Sequence, residues 1–289
     1  MRRSAFLGGA CALAAVPRRV GAAPERIDLS ATVANIPAVT GVVVRTLNPA
    51  QPPLVSVRPD EEFYAASIIK LGIMLALFRA YDAGLVRPSD TVRTRADDLI
   101  GGSDVLTGHP AGEAWRLDTL VGAMIRVSDN AAANTLISTL GIDVINREMH
   151  RAGMTRSHLA RKFSDSVPPG YVSKNVVTPR DIATLLFGIE HGAREGFSTV
   201  ASVPACRGML QVLLTNDDDS KIARGLPRGT PVAHKTGEID GTRNDGAVVD
   251  PFGDTPYVIV ALTRDVRDTS AANAGIAAIA RRVDAVVRS

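Results

Sequence analysis

Cysteine is nearly missing from this chain: 289 residues hold two, Cys11 and Cys206. Without a second partner in the body of the chain, an internal disulfide framework is excluded. Aromatic residues make up only 4%, with one tryptophan, so any core must be built mainly from Ala, Val, Leu and Ile. The five histidines are scattered, with no H-E-x-x-H and no Cys/His cluster, so a metal site is not expected. No glycine-rich phosphate loop appears, and no cofactor is implied. No apolar run is long enough to span a membrane comfortably.

An excess of one charge is also lacking. The formal net charge is +3, from 33 basic and 30 acidic residues. Residues 1–23 carry four arginines and no acid, so removing them leaves 29 basic against 30 acidic residues and a net charge of −1. That balance implies no basic patch for nucleic acid.

Those first 23 residues read as a signal peptide. Arg2 and Arg3 open a positive start, Ser4 to Val16 are apolar, and Gly21, Ala22 and Ala23 supply small residues for cleavage. The Arg pair also allows a twin-arginine route. Cys11 raises a lipoprotein reading, but Gly8 stands where a lipobox prefers an aliphatic residue. The expected product is an exported protein, periplasmic or secreted, of one domain over residues 24–289. It is expected to be a monomer with no transmembrane segment.

What is present has an order. Gly41 to Leu47 and Leu54 to Arg58 read as strands joined through prolines. Ala66 to Tyr81 is apolar almost all round, the pattern of a buried helix. Helical stretches follow at Leu117–Val127, Ala131–Leu140, Ile142–Ala152 and Pro179–His191, the last opened by a Thr178-Pro179 cap. Arg161 to Val177 has no clear period, and a loop that long is usually functional. Cys206 opens an apolar helical run and reads as a small buried residue. Strands return at Pro231–Thr236, Gly246–Val249 and Tyr257–Thr263, and an Ala-rich helix closes the chain at Ala271–Val287. Strands first and last with helices between predict an α/β fold of α+β sandwich type. An antiparallel sheet from both chain ends would be covered by terminal helices, with an all-α part inserted. The α/β part is expected at about 24–62 and 200–289, the all-α part at about 63–199, and the active site between them.

Three short motifs then stand out, each occurring once: Ser67-Ile68-Ile69-Lys70, Ser128-Asp129-Asn130 and Lys235-Thr236-Gly237. A serine hydroxyl is a weak nucleophile unless a base lies within hydrogen-bond reach. S-x-x-K at the start of a helix supplies one, because residues three apart share a face. Lys70, among Ile68, Ile69 and Leu71, is expected to be desolvated, which depresses its pKa and lets it accept a proton.

The three motifs, in this order, resemble those of class A β-lactamases and related penicillin-recognising serine hydrolases. The resemblance runs from about Arg26 to the C-terminus. It implies Ser67 as nucleophile, Lys70 as base, and Ser128 as relay to the leaving nitrogen with Lys235 close by. It implies Asn130 against the acyl side chain of a substrate, and Thr236 with Lys235 on a substrate carboxylate. The backbone N–H groups of Ser67 and Glu238 would form the oxyanion hole, with Gly237 allowing close approach. Arg243 resembles the family's carboxylate-binding arginine, or is a strand-end surface residue. Asp129 is expected to fix its turn. His234 is expected to point away from Lys235 and pack.

One departure matters. Efficient class A enzymes carry a deacylating glutamate in an E-x-x-L-N motif of the long loop. Here Arg161 to Gly170 holds no Glu, and Asp165 is its only carboxylate. Asp165 and Asn175 instead fit the R-K-x-x-D…N-x-x-T-P pattern of divergent relatives. Asp165 is expected either to serve as base or to brace the loop. Three readings follow: β-lactam hydrolysis through an ester on Ser67; a penicillin-binding peptidase or other acyl-serine amidase or esterase, with peptidoglycan-like substrates and slow β-lactam release; or a non-catalytic binding domain on the same fold.

Overall fold

The computed structural model describes residues 26–101, 105–164, 174–196 and 200–289, so the expected signal peptide lies outside the described residues. The chain opens with a short helix α1 (Ser30–Ala34), strands β1 (Val39–Thr46) and β2 (Val55–Val57), and a two-residue strand β3 (Phe63–Tyr64). A 3-10 turn (Ala66–Ile69) leads into α2 (Lys70–Asp82). Strand β4 (Thr91–Arg93), a second 3-10 turn (Ala96–Asp98) and β5 (Ala114–Arg116) precede α3 (Leu117–Arg126), α4 (Asn130–Leu140) and α5 (Ile142–Arg151). Strand β6 (Val176–Val177) introduces α6 (Pro179–Glu195), followed by α7 (Val203–Leu213) and α8 (Ile222–Gly225). The chain ends with β7 (Val232–Ile239), β8 (Thr242–Val249), β9 (Tyr257–Arg264) and α9 (Thr269–Val287).

The main sheet is antiparallel, in the order β2-β1-β9-β8-β7, and so draws on both chain ends. Strands β1 and β9 are largely apolar and buried on both faces because both faces of the sheet are covered there. Along β1, Val43 packs into the core shared with the helices, while Val42 and Val44 pack against α9 on the other side. The same alternation divides Val258 and Val260 from Tyr257 and Ile259 along β9. Period-two side-chain placement produces this split.

Helix α2 is the axis of the helical part. Every residue from Lys70 to Phe78 is buried, as its all-round apolarity predicts. Each large aliphatic there contributes about 1.5–3 kcal/mol by leaving water. Helices α6, α7 and α9 start at side-chain caps: Thr178 accepts from Asp181 N, Ser202 from Ala205 N and Asp268 from Ala271 N. Gly196, at φ 82°, ends α6 in the left-handed conformation glycine favours.

Two expectations need adjusting. Ser67 does not open the α-helix; it lies in the tighter 3-10 turn ahead of it, and Lys70 is the first α-helical residue. The irregular stretch Arg161–Val177 ends in β6, which pairs with β3. No helix among the described residues is long and apolar enough to cross a membrane.

Candidate active site

The Ser67 turn is held from three directions. Ala65 N donates to the Asn175 carbonyl at 2.8 Å. The buried Asn244 side chain on β8 donates to the Tyr64 and Ala65 carbonyls at 2.9 and 3.3 Å, and accepts from Thr263 N at 3.0 Å. Strand β7 closes the third side. A Cβ on Gly237 would sit 2.8 Å from Ile68 N, 2.9 Å from Ala65 O and 3.1 Å from Ser67 N. Only glycine lets the strand come this near to the serine's backbone. Ala66, just before the serine, sits at φ 45°, a left-handed conformation that costs a non-glycine residue on the order of 1 kcal/mol.

Lys70 is wholly buried beneath Ser67. Its Nζ lies 3.2 Å from Ser67 Oγ, 3.1 Å from Ser128 Oγ and 2.8 Å from Asn130 Oδ1, and it also donates to the Ser128 carbonyl. The Phe163 ring centroid lies 4.6 Å away. Burial holds the Lys70 pKa well below its usual value; the like charge of Lys235 adds to this and Asp129 opposes it. A neutral amine in this position has a lone pair to offer the Ser67 proton.

Ser128 is presented by a strained turn, at φ 60°. Asp129 holds that turn from below. Its Oδ1 accepts from Ala132 N at 2.7 Å and caps α4, while Oδ2 accepts from Val105 N and Leu106 N at 2.9 and 3.0 Å. Asn130, the first residue of α4, is thereby fixed over Lys70.

Lys235 arrives from β7, buried, with Nζ donating to the Thr236 carbonyl at 3.0 Å. Burial pulls its pKa down to about 8, against the opposing field of Asp245 and Asp218. His234 faces the opposite way, as alternation requires, and its Nδ1 lies 3.1 Å from Asp245 Oδ1 in the buried core.

Ser67, Ser128, Asn130, Lys235, Thr236 and Glu238 line one cleft of about 370 Å³ together with Arg126, Val127, Asn216, Asp217 and Asp218. The far wall is tied to the helical part: Arg126 Nε donates to Asp217 at 2.9 Å, and Asn216 Nδ2 to the Ile125 carbonyl at 3.2 Å.

Arg243 is not brought into this cleft. Its guanidinium donates to the Ile239 and Thr242 carbonyls at 2.7 and 2.6 Å and to the Thr269 hydroxyl at 3.0 Å. Asp165 lies outside the described residues. The neck of its loop is described: Asn175 Oδ1 accepts from Ala160 N and Arg161 N at 2.8 and 3.1 Å, and Asn134 brackets Phe163 through both of its amide atoms.

Sequence reasoning missed Lys221. This lysine is fully buried, 2.6 Å from Glu238 Oε1, 2.7 Å from Asp218 Oδ2 and 2.8 Å from Ser220 Oγ. Burial depresses its pKa, but Asp245, Asp218 and Glu238 outweigh that and leave it raised. Lys221 belongs to no motif, and only its place between three acids signals its weight.

Comparison with known proteins sets the whole chain beside a family. The sequence model of the β-lactamase enzyme family matches residues 26–287. A β-lactamase of Bacillus licheniformis is 28% identical over 225 residues, which is 74% of this chain and 68% of that protein. The crystal structure of a β-lactamase from Sphaerobacter thermophilus DSM 20745 aligns with TM-score 0.79 at 30% identity, covering 91% of this chain and 98% of that one. A mutant of PBP-A, solved as an acyl-enzyme complex with penicillin G, aligns with TM-score 0.77 at 25% identity over 92% and 99% of the two chains.

Proposed function

This chain belongs to the β-lactamase enzyme family, and from that premise we propose that it is a serine hydrolase acylated on Ser67 by β-lactams, whose ring amide it opens. The observation that carries this reading is the Lys70 side chain: one buried, pKa-depressed amine touching Ser67 Oγ, Ser128 Oγ and Asn130 Oδ1 together. Neutral Lys70 takes the Ser67 proton as Oγ attacks the carbonyl carbon. The oxyanion that forms is received by the Ser67 and Glu238 backbone N–H groups, which the Gly237 approach brings near each other. The proton then passes from Lys70 through Ser128 to the leaving nitrogen, and that C–N bond breaks. Lys235 and Thr236 flank the same cleft, with the Lys235 ammonium turned to the serine end.

Hydrolysis requires a water and a base. Asp165, the only carboxylate of Arg161–Gly170, is the residue proposed for that role. The missing Glu also favours a second reading, in which the same acylation machinery serves a penicillin-binding peptidase and the β-lactam ester persists. The fold shared with PBP-A, whose mutant holds a penicillin G ester, supports keeping it. Residues 1–23 are proposed to direct export.

The test is intact mass of the mature protein over time with a penicillin, with chromogenic cephalosporin turnover alongside. A transient adduct with steady turnover supports the hydrolase. An adduct persisting for hours supports the peptidase reading. No adduct, and no turnover, overturns both.

A further inference from the structure

The wall of the cleft beside Thr236 is negative where an anion would have to bind. A β-lactam carries a carboxylate next to its reacting amide, and the resemblance assigned that anion to Thr236, Lys235 and Arg243. The structure turns Arg243 away, onto two backbone carbonyls and Thr269. The cation that stands in this region is Lys221, and it does not line the cleft. It is fully buried, and both of its carboxylate partners, Asp218 and Glu238, lie between it and the cleft, which they do line.

Glu238 is the more exposed of the two partners, with 44% of its side chain open against 33% for Asp218. It lies two residues beyond Thr236 on β7, so both side chains share a face about 7 Å apart. The remaining cations of the lining are Arg126, already paired with Asp217, and Lys235. Among the described lining residues an incoming carboxylate therefore meets three acids, Asp217, Asp218 and Glu238, and must share Lys235, while Lys221 behind them is already paired with two of the three.

We propose that Glu238 is a selectivity residue: its carboxylate, held on Lys221, fills the place where a substrate anion would be neutralised, and turns the site toward acyl donors that are neutral or cationic on the leaving-group side. This rests on the acyl-serine reading above and deepens it. The acids are not partners of the Ser67–Lys70 pair, whose hydrogen bonds run to Ser128 and Asn130. They act on the ground-state and transition-state binding of the group attached to the leaving nitrogen. Two like charges about 7 Å apart at a half-exposed site interact by enough to change affinity about tenfold.

A matched pair of probes reads this directly: benzylpenicillin and its methyl ester, which differ only in the carboxylate charge. Acylation rates of both would be measured by intact mass for the wild type, Glu238→Gln and Glu238→Ala. The expected result is a wild type that prefers the methyl ester, with the ratio of free-acid to ester rates rising about tenfold in both variants, whatever happens to either rate alone. A structural defect would lower both rates together and leave the ratio in place. Adducts forming with an unchanged ratio in both variants would overturn this proposal and leave the acyl-serine reading standing. A wild-type preference for the free acid would also overturn it. No adduct with either probe in any form would sink the acyl-serine reading and this proposal with it.

Discussion

Replacing Gly237 with alanine tests the physical link between fold and chemistry most sharply. A methyl at this position would lie 2.8 Å from Ile68 N, 2.9 Å from Ala65 O and 3.1 Å from Ser67 N. All three are backbone atoms of the turn that holds the nucleophile, and that turn is itself pinned by Asn244. None can swing aside as a side-chain tip would. Ordinary contact therefore requires β7 and the turn to part by about half an ångström. Overpacking of this kind costs about 1–3 kcal/mol of stability. The chemical cost is larger in proportion. The two proposed oxyanion donors belong to the two segments being pushed apart, and loss of one such donor costs about 10²–10³ in rate. Gly237→Ala is thus expected to lower the acylation rate about a hundredfold while the protein still melts cooperatively, within about 10 °C of the wild type. The assay is stopped-flow acylation by a chromogenic cephalosporin, with thermal unfolding measured on the same sample. Wild-type acylation in a folded Gly237→Ala variant would refute the reasoning.

Other consequences follow from the same geometry. Lys70→Met is expected to slow acylation by about 10²–10⁴, the worth of a general base. The same variant is expected to be no less stable at pH 7. Lys70 titrates lower in the folded protein than in the unfolded chain, so between those values the unfolded chain holds the extra proton and stability rises with pH. Urea unfolding at pH 7 and pH 10 checks this, the wild type gaining over that interval relative to the variant. The acylation rate against pH should be bell-shaped, rising as Lys70 loses its proton and falling near pH 8 as Lys235 loses its own; a Lys235→Met variant should lack the alkaline limb. Asp129→Ala is expected to cost about 3 kcal/mol, seen as a lowered midpoint in urea, because two buried N–H donors and a part-buried one lose their acceptor.

The sequence and the structure agree where the physical signal is long or chemically constrained. Helix α2 and strand β9 were legible because their apolar character runs unbroken over many residues, and the sheet's draw on both chain ends followed from their order. The meeting of Ser67, Lys70, Ser128 and Lys235 was legible through the family resemblance that the three motifs carry. Strands β3 to β6 were not, since two or three residues cannot display an alternation. Lys221 escaped because a lone lysine in Asp217-Asp218-Asp219-Ser220-Lys221 reads as a solvated turn; its burial arises only when β7 brings Glu238 alongside. Arg243 was assigned by local likeness to a turn whose register decides which residue faces the cleft. In this chain Asp245 is the cross-strand neighbour of Thr236, and Arg243 that of Glu238.

The central claim is that Ser67 is the residue acylated. The direct test is peptide mapping of the protein after brief exposure to benzylpenicillin, for the wild type and Ser67→Ala. The account predicts one modified peptide, with the added mass on Ser67, and none in the variant. Label on Ser128 or any other residue, or equal labelling of Ser67→Ala, would contradict it.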